Sequence, residues 1–439
     1  MKPKLFLTLF AYLLTLSAFA QLHDTALLDQ YFDALSTNNK FMGSVAISQN
    51  GKVIYSKSVG YSDTETGKKN NSTTKFRIGS ISKMFTAAMI FKAVEEKKIS
   101  LNDNIGSYFP TIPNASKITI GQLLNHHSGI HNFTNNEDYT SWMTQPKTEA
   151  ELVAIIAGDD SDFEPGSKAD YSNSNYVLLS FILQKIYKKP YKELVKDNII
   201  KPVGLKNTYY GSKITPANNE AFSYSYEAKW IKSPETDMSV PIGAGAILST
   251  PSDLALFLEA LFAGRIVSAA SLEQMKTIQD GYGMGMFQFP FNDKTSYGHT
   301  GGIDGFSSML SYFPADKVTF ALTSNGNNYG NNDIAITALT WFYTNKVTVP
   351  DFKTYSYTAE ELDKFAGNYT SKDIPLGIII TKEGTSLKAQ ATGQSAIPLD
   401  ATGKNEFTFK PAGIVIDFKP ETSQMVLKQG GGVYNFTKN

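Results

Sequence analysis

Three short patterns along the chain combine residue types that could carry out acyl transfer. Ser80 and Lys83 form an S-x-x-K, Tyr171 and Asn173 form a Y-x-N, and His299 begins an H-T-G. A serine hydroxyl becomes nucleophilic when a nearby base takes its proton, and a lysine with a lowered pKa is one such base. The patterns therefore indicate a serine nucleophile that needs no Ser-His-Asp triad.

Each pattern also occurs a second time, so the surrounding sequence must distinguish the copies. The further copies are Ser72/Lys75, Tyr329/Asn331, Tyr343/Asn345 and His127-Ser128-Gly129. Ser80 begins the apolar segment SISKMFTAAMIF, whose spacing predicts a helix, whereas Ser72 lies in the polar run KKNNSTTK. The helical setting favours Ser80.

A helix beginning at Ser80 would also activate it. Residues three apart lie on one helix face, which brings the Lys83 amine within reach of the Ser80 hydroxyl. The partial positive charge of a helix N-terminus favours a developing alkoxide, and burial lowers the pKa of a lysine. The alternative is that Ser80 only caps the helix, with Lys83 in solvent.

Composition excludes several other kinds of chemistry. The 439 residues include 41 Lys and Arg and 41 Asp and Glu, and this balance argues against a nucleic-acid partner. The chain has no cysteine, which excludes disulfides, thiolate catalysis and Cys-ligated metals. Five histidines without an H-E-x-x-H pattern argue against a metal site. We therefore expect neither a metal nor an organic cofactor.

The first twenty residues are typical of an export signal. Lys2 and Lys4 precede an apolar stretch from Leu5 to Leu16, and Ala18-Phe19-Ala20 has the form of a cleavage site. No later stretch is apolar enough to predict a membrane span. We expect cleavage after residue 20 and a soluble periplasmic or secreted protein; the alternative is an uncleaved anchor.

Strand patterns stand at both ends of the main region, with helical patterns between them. A hairpin is predicted around Asn50-Gly51, and two strands are predicted at 306–313 and 318–324. Predicted helices cover 80–98, 149–157, 174–188, 190–199, 251–262 (with Ser249 or Thr250 as N-cap) and 333–343. The arrangement is that of an α+β fold, an antiparallel sheet flanked by helices with a helical subdomain.

The pattern changes near residue 350. Short alternating segments follow Phe365, and they predict a small all-β module of barrel type. We therefore divide the chain into a signal peptide (1–20), a main domain (21–346), a linker (347–354) and a C-terminal β domain (355–439).

Six blocks in a fixed order resemble one known family. They are KFRIGSISKMFTAAMI, GQLLNHHSGI, DYSNSNYVLLSFILQKI, IIKPVGLKNTYY, GAGAILSTPSDLALFLEAL and YGHTGGIDGFSSMLSYFP. Together they resemble the penicillin-recognising serine hydrolases related to class C β-lactamases, over roughly residues 24–346. That family includes D-Ala-D-Ala carboxypeptidases, D-aminopeptidases and certain esterases.

The resemblance implies a role for each matching residue. Ser80 resembles the acylated nucleophile, Lys83 its activator, and Tyr171 the phenol that exchanges protons with Ser80 and the leaving group. Asn173, His299, Thr300 and Gly301 match substrate-binding positions. The backbone N–H groups of Ser80 and Gly302 would form the oxyanion hole.

One position departs from many relatives, because His299 stands where they have Lys. Neutral imidazole anchors a substrate carboxylate less well than a permanent positive charge does. This favours an exported D-stereospecific peptidase or amidase, D-Ala-D-Ala carboxypeptidase-like, acting on a small molecule or cell-wall peptide. A β-lactamase or esterase with the same residues, and a non-catalytic sensor on this fold, remain alternatives.

Overall fold

The computed structural model describes residues 24–352, 355–409, 412–430 and 432–439. The predicted signal peptide and the last two residues of the predicted linker lie outside them. The chain divides between Val349 and Pro350 into two compact units. Each unit has its own core, and the two cores have no residue in common.

The first unit contains twelve helices and thirteen strands in its described residues. The helices are α1 (Ala26–Thr37), α2 (Ser82–Glu95), α3 (Ile120–Leu124), α4 (Tyr139–Trp142), α5 (Glu149–Gly158), α6 (Asn173–Tyr187), α7 (Tyr191–Val195), α8 (Lys201–Val203), α9 (Ile242–Gly245), α10 (Pro251–Phe262), α11 (Ala269–Lys276) and α12 (Asn331–Thr344). The strands are β1 (Phe41–Gln49), β2 (Lys52–Val59), β3 (Tyr61–Asp63), β4 (Lys68–Lys69), β5 (Phe76–Arg77), β6 (Tyr209–Tyr210), β7 (Tyr224–Glu227), β8 (Lys229–Lys232), β9 (Ile247–Ser249), β10 (Phe287–Phe291), β11 (Lys294–Ile303), β12 (Phe306–Phe313) and β13 (Val318–Asn327).

The large sheet joins the first strands of the chain to the last strands of this unit. Its order is β10-β11-β12-β13-β1-β2, with antiparallel neighbours throughout, and β7 adds one parallel pair to β13. Helix α10 packs on one face, while α1 and α12 pack on the other, where Tyr55 of β2 contacts both Phe32 and Trp341. The predicted α+β class is confirmed.

Helix α2 crosses the interior between the sheet and the helical subdomain. Every residue from Ser82 to Phe91 is buried, which is typical of a helix enclosed on all sides. Phe85 stacks on Phe257 of α10 with ring centroids 3.8 Å apart. On the other side α2 contacts α6 and α9. This position fixes its N-terminus relative to both the sheet and the subdomain.

The predicted helices appear with their ends shifted by a few residues, with one exception. The segment predicted as a single helix at 190–199 forms α7, a π-helical turn over Lys196–Ile200, and α8. Of the two N-cap candidates for α10, Thr250 caps, because its hydroxyl accepts the N–H of Asp253 at 3.3 Å.

The second unit is a closed antiparallel barrel. It comprises α13 (Ala359–Leu362), β14 (Gly367–Ser371), β15 (Gly377–Glu383), β16 (Ser386–Ala391), β17 (Ile397–Ala401), β18 (Glu406–Phe409), β19 (Ile414–Lys419), β20 (Gln424–Gln429) and β21 (Gly432–Lys438). Each strand pairs with the next, and β21 pairs with β14 to close the sheet. The predicted barrel-like module is confirmed, although the patterns identified neither β14 nor β17 as separate strands.

Because the two cores are separate, we predict that the units unfold separately. A chain ending at Val349 should melt cooperatively and within ~4 °C of one transition of the full chain, since a change of about 1 kcal/mol moves the midpoint of a domain this large by only a few degrees. Differential scanning calorimetry of both chains measures this. A single transition in the full chain, together with aggregation of the shorter one, would contradict the prediction.

Candidate active site

The turn that carries Ser80 is pressed against strand β11. Gly79–Ile81 form a 3-10 turn before α2, and Gly79 has φ +50°. A Cβ atom on Gly79 would lie 2.8 Å from the backbone nitrogen of Gly302. Gly301 has no room either, because its Cβ would lie 2.1 Å from the Ile78 carbonyl oxygen. These glycines let the serine turn approach the strand closely enough for Ser80 and Gly302 to line one cavity.

Lys83 is fully buried and makes three hydrogen bonds. Its Nζ lies 2.9 Å from Ser80 Oγ, 2.7 Å from Asn173 Oδ1 and 3.0 Å from the Ala244 carbonyl oxygen. Burial lowers the pKa of Lys83 well below its usual value. This shift favours the neutral amine, in which the amide and carbonyl oxygens, which can only accept, take the two N–H bonds. The lone pair of that amine is left for the Ser80 hydroxyl.

Asn173 and Tyr171 reach Ser80 from the start of α6. Asn173 Nδ2 donates to Thr134 Oγ1 at 3.0 Å, which orients the amide so that its oxygen faces Lys83. The Lys83 Nζ lies 4.9 Å from the centroid of the Tyr171 ring. Burial raises the pKa of Tyr171, and a hydrogen bond with Ser80 only partly opposes this shift. Tyr171 is therefore a neutral phenol near neutral pH.

His126, which lies in the sequence block GQLLNHHSGI, holds Tyr171 in place. Its Nδ1 accepts the N–H of Ser172 at 3.1 Å, and its carbonyl oxygen accepts the N–H of Asp170 at 2.9 Å. The centroids of the His126 and Tyr171 rings lie 4.5 Å apart. Burial, with smaller contributions from Lys83 and His299, lowers the pKa of His126 well below its usual value. The neutral ring is the form that can accept the Ser172 proton.

His299, Thr300 and Gly301, which form the third pattern, do not line the cavity as substrate-binding residues would. His299 is 2% exposed, bonds through Nδ1 to the carbonyl oxygen of Thr300, and is not among the cavity-lining residues. Burial lowers the pKa of His299 to about 3. An imidazolium that binds a substrate carboxylate is therefore disfavoured at neutral pH. Thr300 is exposed and Gly301 is partly buried, and neither lines the cavity.

Arg77 is buried and clamps the wall of the cavity from behind. Its guanidinium donates to Asp304 Oδ2 at 2.8 Å, to the Thr236 carbonyl oxygen at 2.8 Å and to the Ser212 carbonyl oxygen at 3.0 Å. Asp304 Oδ1 accepts both the N–H and the hydroxyl of Thr236. The pair thus ties the turn after β11 to the segment around Thr236, and the guanidinium of Arg77 is buried and is not among the cavity-lining residues.

The cavity above Ser80 has a volume of about 280 Å³ and a mixed lining. Apolar walls come from Phe133, Tyr139, Met143, Pro241, Ala244 and Ile303, and polar groups come from Ser80, Thr134, Asn173, Thr236 and Asp304, with Gly245 and Gly302 between them. Within the described residues, Asp304 is the one charged side chain of this lining, and Arg77 neutralises it.

No group of three or more His, Asp or Glu residues in the described chain is arranged to hold a metal ion. No described helix is both long and apolar enough to span a membrane.

The chain is similar to known proteins in sequence and in fold. The family model described as Beta-lactamase matches residues 28–341. The penicillin-binding protein PbpX of Bacillus subtilis strain 168 is 30% identical over 66% of this chain and 71% of its own length. A teichoic acid D-alanine hydrolase of Staphylococcus aureus strain MRSA252 is 28% identical over 67% and 74%, respectively. The crystal structure of a D-stereospecific amidohydrolase from Streptomyces superposes with a TM-score of 0.63 at 26% identity, covering 74% of this chain and 100% of that chain.

The Lys83 geometry predicts that catalysis requires its neutral form. Because burial lowers the pKa of Lys83, kcat/KM should fall as pH drops through a value below the ordinary 10.4. Lys83→Arg, which stays protonated, should lose about 10²–10⁴-fold at every pH. The matched control is Lys75→Arg in the second S-x-x-K, whose Nζ bonds the Asn218 carbonyl oxygen at 2.9 Å, and it should keep the wild-type profile. Equal activity of the two variants would contradict the assignment.

The depth of His299 predicts that this imidazole does not titrate between pH 5 and 9, because its pKa is lowered to about 3. Nitrogen-15 NMR of the labelled imidazole rings should show His299 as the neutral tautomer protonated at Nδ1 throughout that range. His131, whose pKa is raised by its bond to Asp162, is the internal control and should titrate. A midpoint for His299 near 6.5 would restore the carboxylate-binding role.

Proposed function

This chain belongs to the Beta-lactamase family and is a serine hydrolase of the penicillin-binding protein and β-lactamase class, and from this we propose that it hydrolyses amides or esters of D-amino acids through an acyl-Ser80 intermediate. The observation that carries the proposal is the 2.9 Å hydrogen bond between Ser80 Oγ and the buried Lys83 amine, with Ser80 lining a cavity of mixed polar and apolar walls. We also propose export to the periplasm or medium, on the basis of residues 1–20.

Acylation follows from the three side chains around Ser80. Neutral Lys83 takes the hydroxyl proton as Ser80 Oγ bonds to the substrate carbonyl carbon. The negative charge on the former carbonyl oxygen faces the backbone N–H groups of Ser80 and Gly302. The bond to the leaving group then breaks, and the neutral Tyr171 phenol passes that proton from Lys83 to the departing nitrogen or oxygen.

Deacylation uses the same groups in reverse. A water molecule gives a proton to Lys83 as its oxygen bonds to the acyl carbon, and the ester bond to Ser80 breaks with return of a proton to Oγ. The product is a free amino acid. Tyr171 serves as a proton donor in this scheme, because burial raises its pKa and disfavours the phenolate that a basic role would need.

The lining of the cavity supports a substrate whose leaving group carries no carboxylate. The charged side chain of the described lining, Asp304, is already paired with Arg77, and Lys83 is buried, has a lowered pKa and is already bonded. A free carboxylate would find no cation among the described lining residues, whereas an amide, an ester or an α-ammonium group meets no repulsion. This favours a D-amino-acid amidase, aminopeptidase or ester hydrolase over a carboxypeptidase.

The names of two relatives indicate which acyl group the substrate carries. One acts, by its name, on D-alanine of teichoic acid, and another is a D-stereospecific amidohydrolase. Both names refer to substrates of D configuration, which supports a D-aminoacyl group, and the walls formed by Phe133, Met143 and Ile303 suit an apolar side chain on it. Hydrolysis of β-lactams remains the alternative activity for the same site.

The proposal is tested with D-phenylalanine amide, its L enantiomer, D-Ala-D-Ala and nitrocefin. We expect turnover of the D-amide at least tenfold above the other three, and a D-aminoacyl adduct on Ser80 by intact mass and peptide mapping of the D-phenylalanine methyl ester reaction. Ser80→Ala should lose about 10⁶-fold, as removal of a catalytic serine does elsewhere.

Ser72→Ala is the matched control for that variant. Ser72 lies in an exposed turn, outside the cavity, and its loss should leave kcat/KM unchanged. A preference for D-Ala-D-Ala or nitrocefin over the D-amide would overturn the proposed substrate class while leaving the Ser80 chemistry intact. An active Ser80→Ala would overturn both.

A further inference from the structure

The two ends of the C-terminal barrel are filled differently. At the end next to α13 the interior holds large side chains, among them Phe365, Phe407, Phe418 and Met425. Three aromatic rings interlock there, with centroids of Phe365, Phe407 and Phe418 between 4.9 and 5.5 Å apart. This end is a packed core.

The opposite end is lined mainly by aliphatic side chains, with Phe409 as the one aromatic residue among the described lining, and it is hollow. Inward positions there include Ile378, Ala389, Ala391, Ile397 and Ile414, from four different strands. They surround a cavity of about 170 Å³. Eight strands form a barrel just wide enough either to be filled by side chains or to hold one small ligand. In this barrel one end is filled by side chains, and the other end has room for a small ligand.

From this cavity we infer that the barrel is a second binding site, for one small uncharged molecule that places a ring or short aliphatic chain inside and a polar group at the mouth. The described lining has no charged side chain, so an ionised group inside would lose hydration without a partner. Gln394, Ser395 and Gln429 supply polar groups at the mouth.

The volume sets the size of the ligand. An engineered cavity of about 150 Å³, lined by similar aliphatic and aromatic side chains, binds benzene. The barrel cavity is slightly larger, which suits a benzene-sized ring with one substituent. Burying the apolar surface of such a ring is favourable by about 25 cal/mol per Å².

The site is distinct from the hydrolase site. The family match ends at residue 341, before the barrel begins, and every residue around the cavity lies in the second unit. Binding in the barrel therefore extends beyond the proposed hydrolytic activity and does not depend on its being correct.

The test uses 4-fluorobenzyl alcohol as the probe and the full chain as the protein. Fluorine NMR of the probe measures affinity, and methyl spectra of the protein locate the site. We expect the δ1 methyl resonances that move to be those of the four isoleucines in the described lining, Ile378, Ile397, Ile414 and Ile416. Ile378→Phe and Ala391→Leu, which fill the cavity, should each weaken binding tenfold or more.

Ile379→Phe is the matched control, since Ile379 is the next residue of the same strand and is 46% exposed on the outer surface. It should bind the probe like the wild type, as should Ser80→Ala. If Ile378→Phe does not fold, Ala391→Leu decides, because Ala391 is only partly buried at the mouth. Unchanged affinity in the filled variants, or shifts outside the barrel methyls, would overturn the inference, as would no binding at all.

Discussion

The structure of the first unit depends on one buried amine. Lys83 lies on a helix with no solvent-facing side over its first ten residues, and three separate segments bring an oxygen to its Nζ. Asn173 comes from the start of α6, Ala244 from α9 and Ser80 from the turn before α2. A protonated Lys83 would lose its hydration at this buried position without gaining a carboxylate partner. Burial therefore favours the neutral amine.

The groups around this amine share its lack of charge. His126 and His299 have lowered pKa values and Tyr171 has a raised one, in each case chiefly because of burial. The nearest carboxylate in the cavity wall, Asp304, is paired with Arg77 at 2.8 Å. In the proposed reaction, charge would therefore develop at the site only as the substrate reacts, where the backbone N–H groups of Ser80 and Gly302 would stabilise it.

Local spacing together with the order of the six sequence blocks predicted part of this candidate site. Ser80 and Lys83 are one helical turn apart, and Tyr171 and Asn173 adjoin one helix start, so short-range patterns identify them. The depth of His299, the support from His126 and the walls at Phe133 and Ile303 depend on packing between distant segments. Likewise the alternating segments predicted a β module, but pairing of β14 with β21, which closes the barrel, joins residues that no local pattern connects.

The protonation state of Lys83 is the central claim, and neutron diffraction from crystals of the deuterated protein near pH 7 measures it directly. The account predicts two deuterons on Nζ, directed at Asn173 Oδ1 and the Ala244 carbonyl oxygen, and a deuteron on Ser80 Oγ directed at Nζ. Three deuterons on Nζ, with the Ser80 deuteron pointing elsewhere, would contradict it, because an ammonium group has no lone pair with which to accept the serine proton.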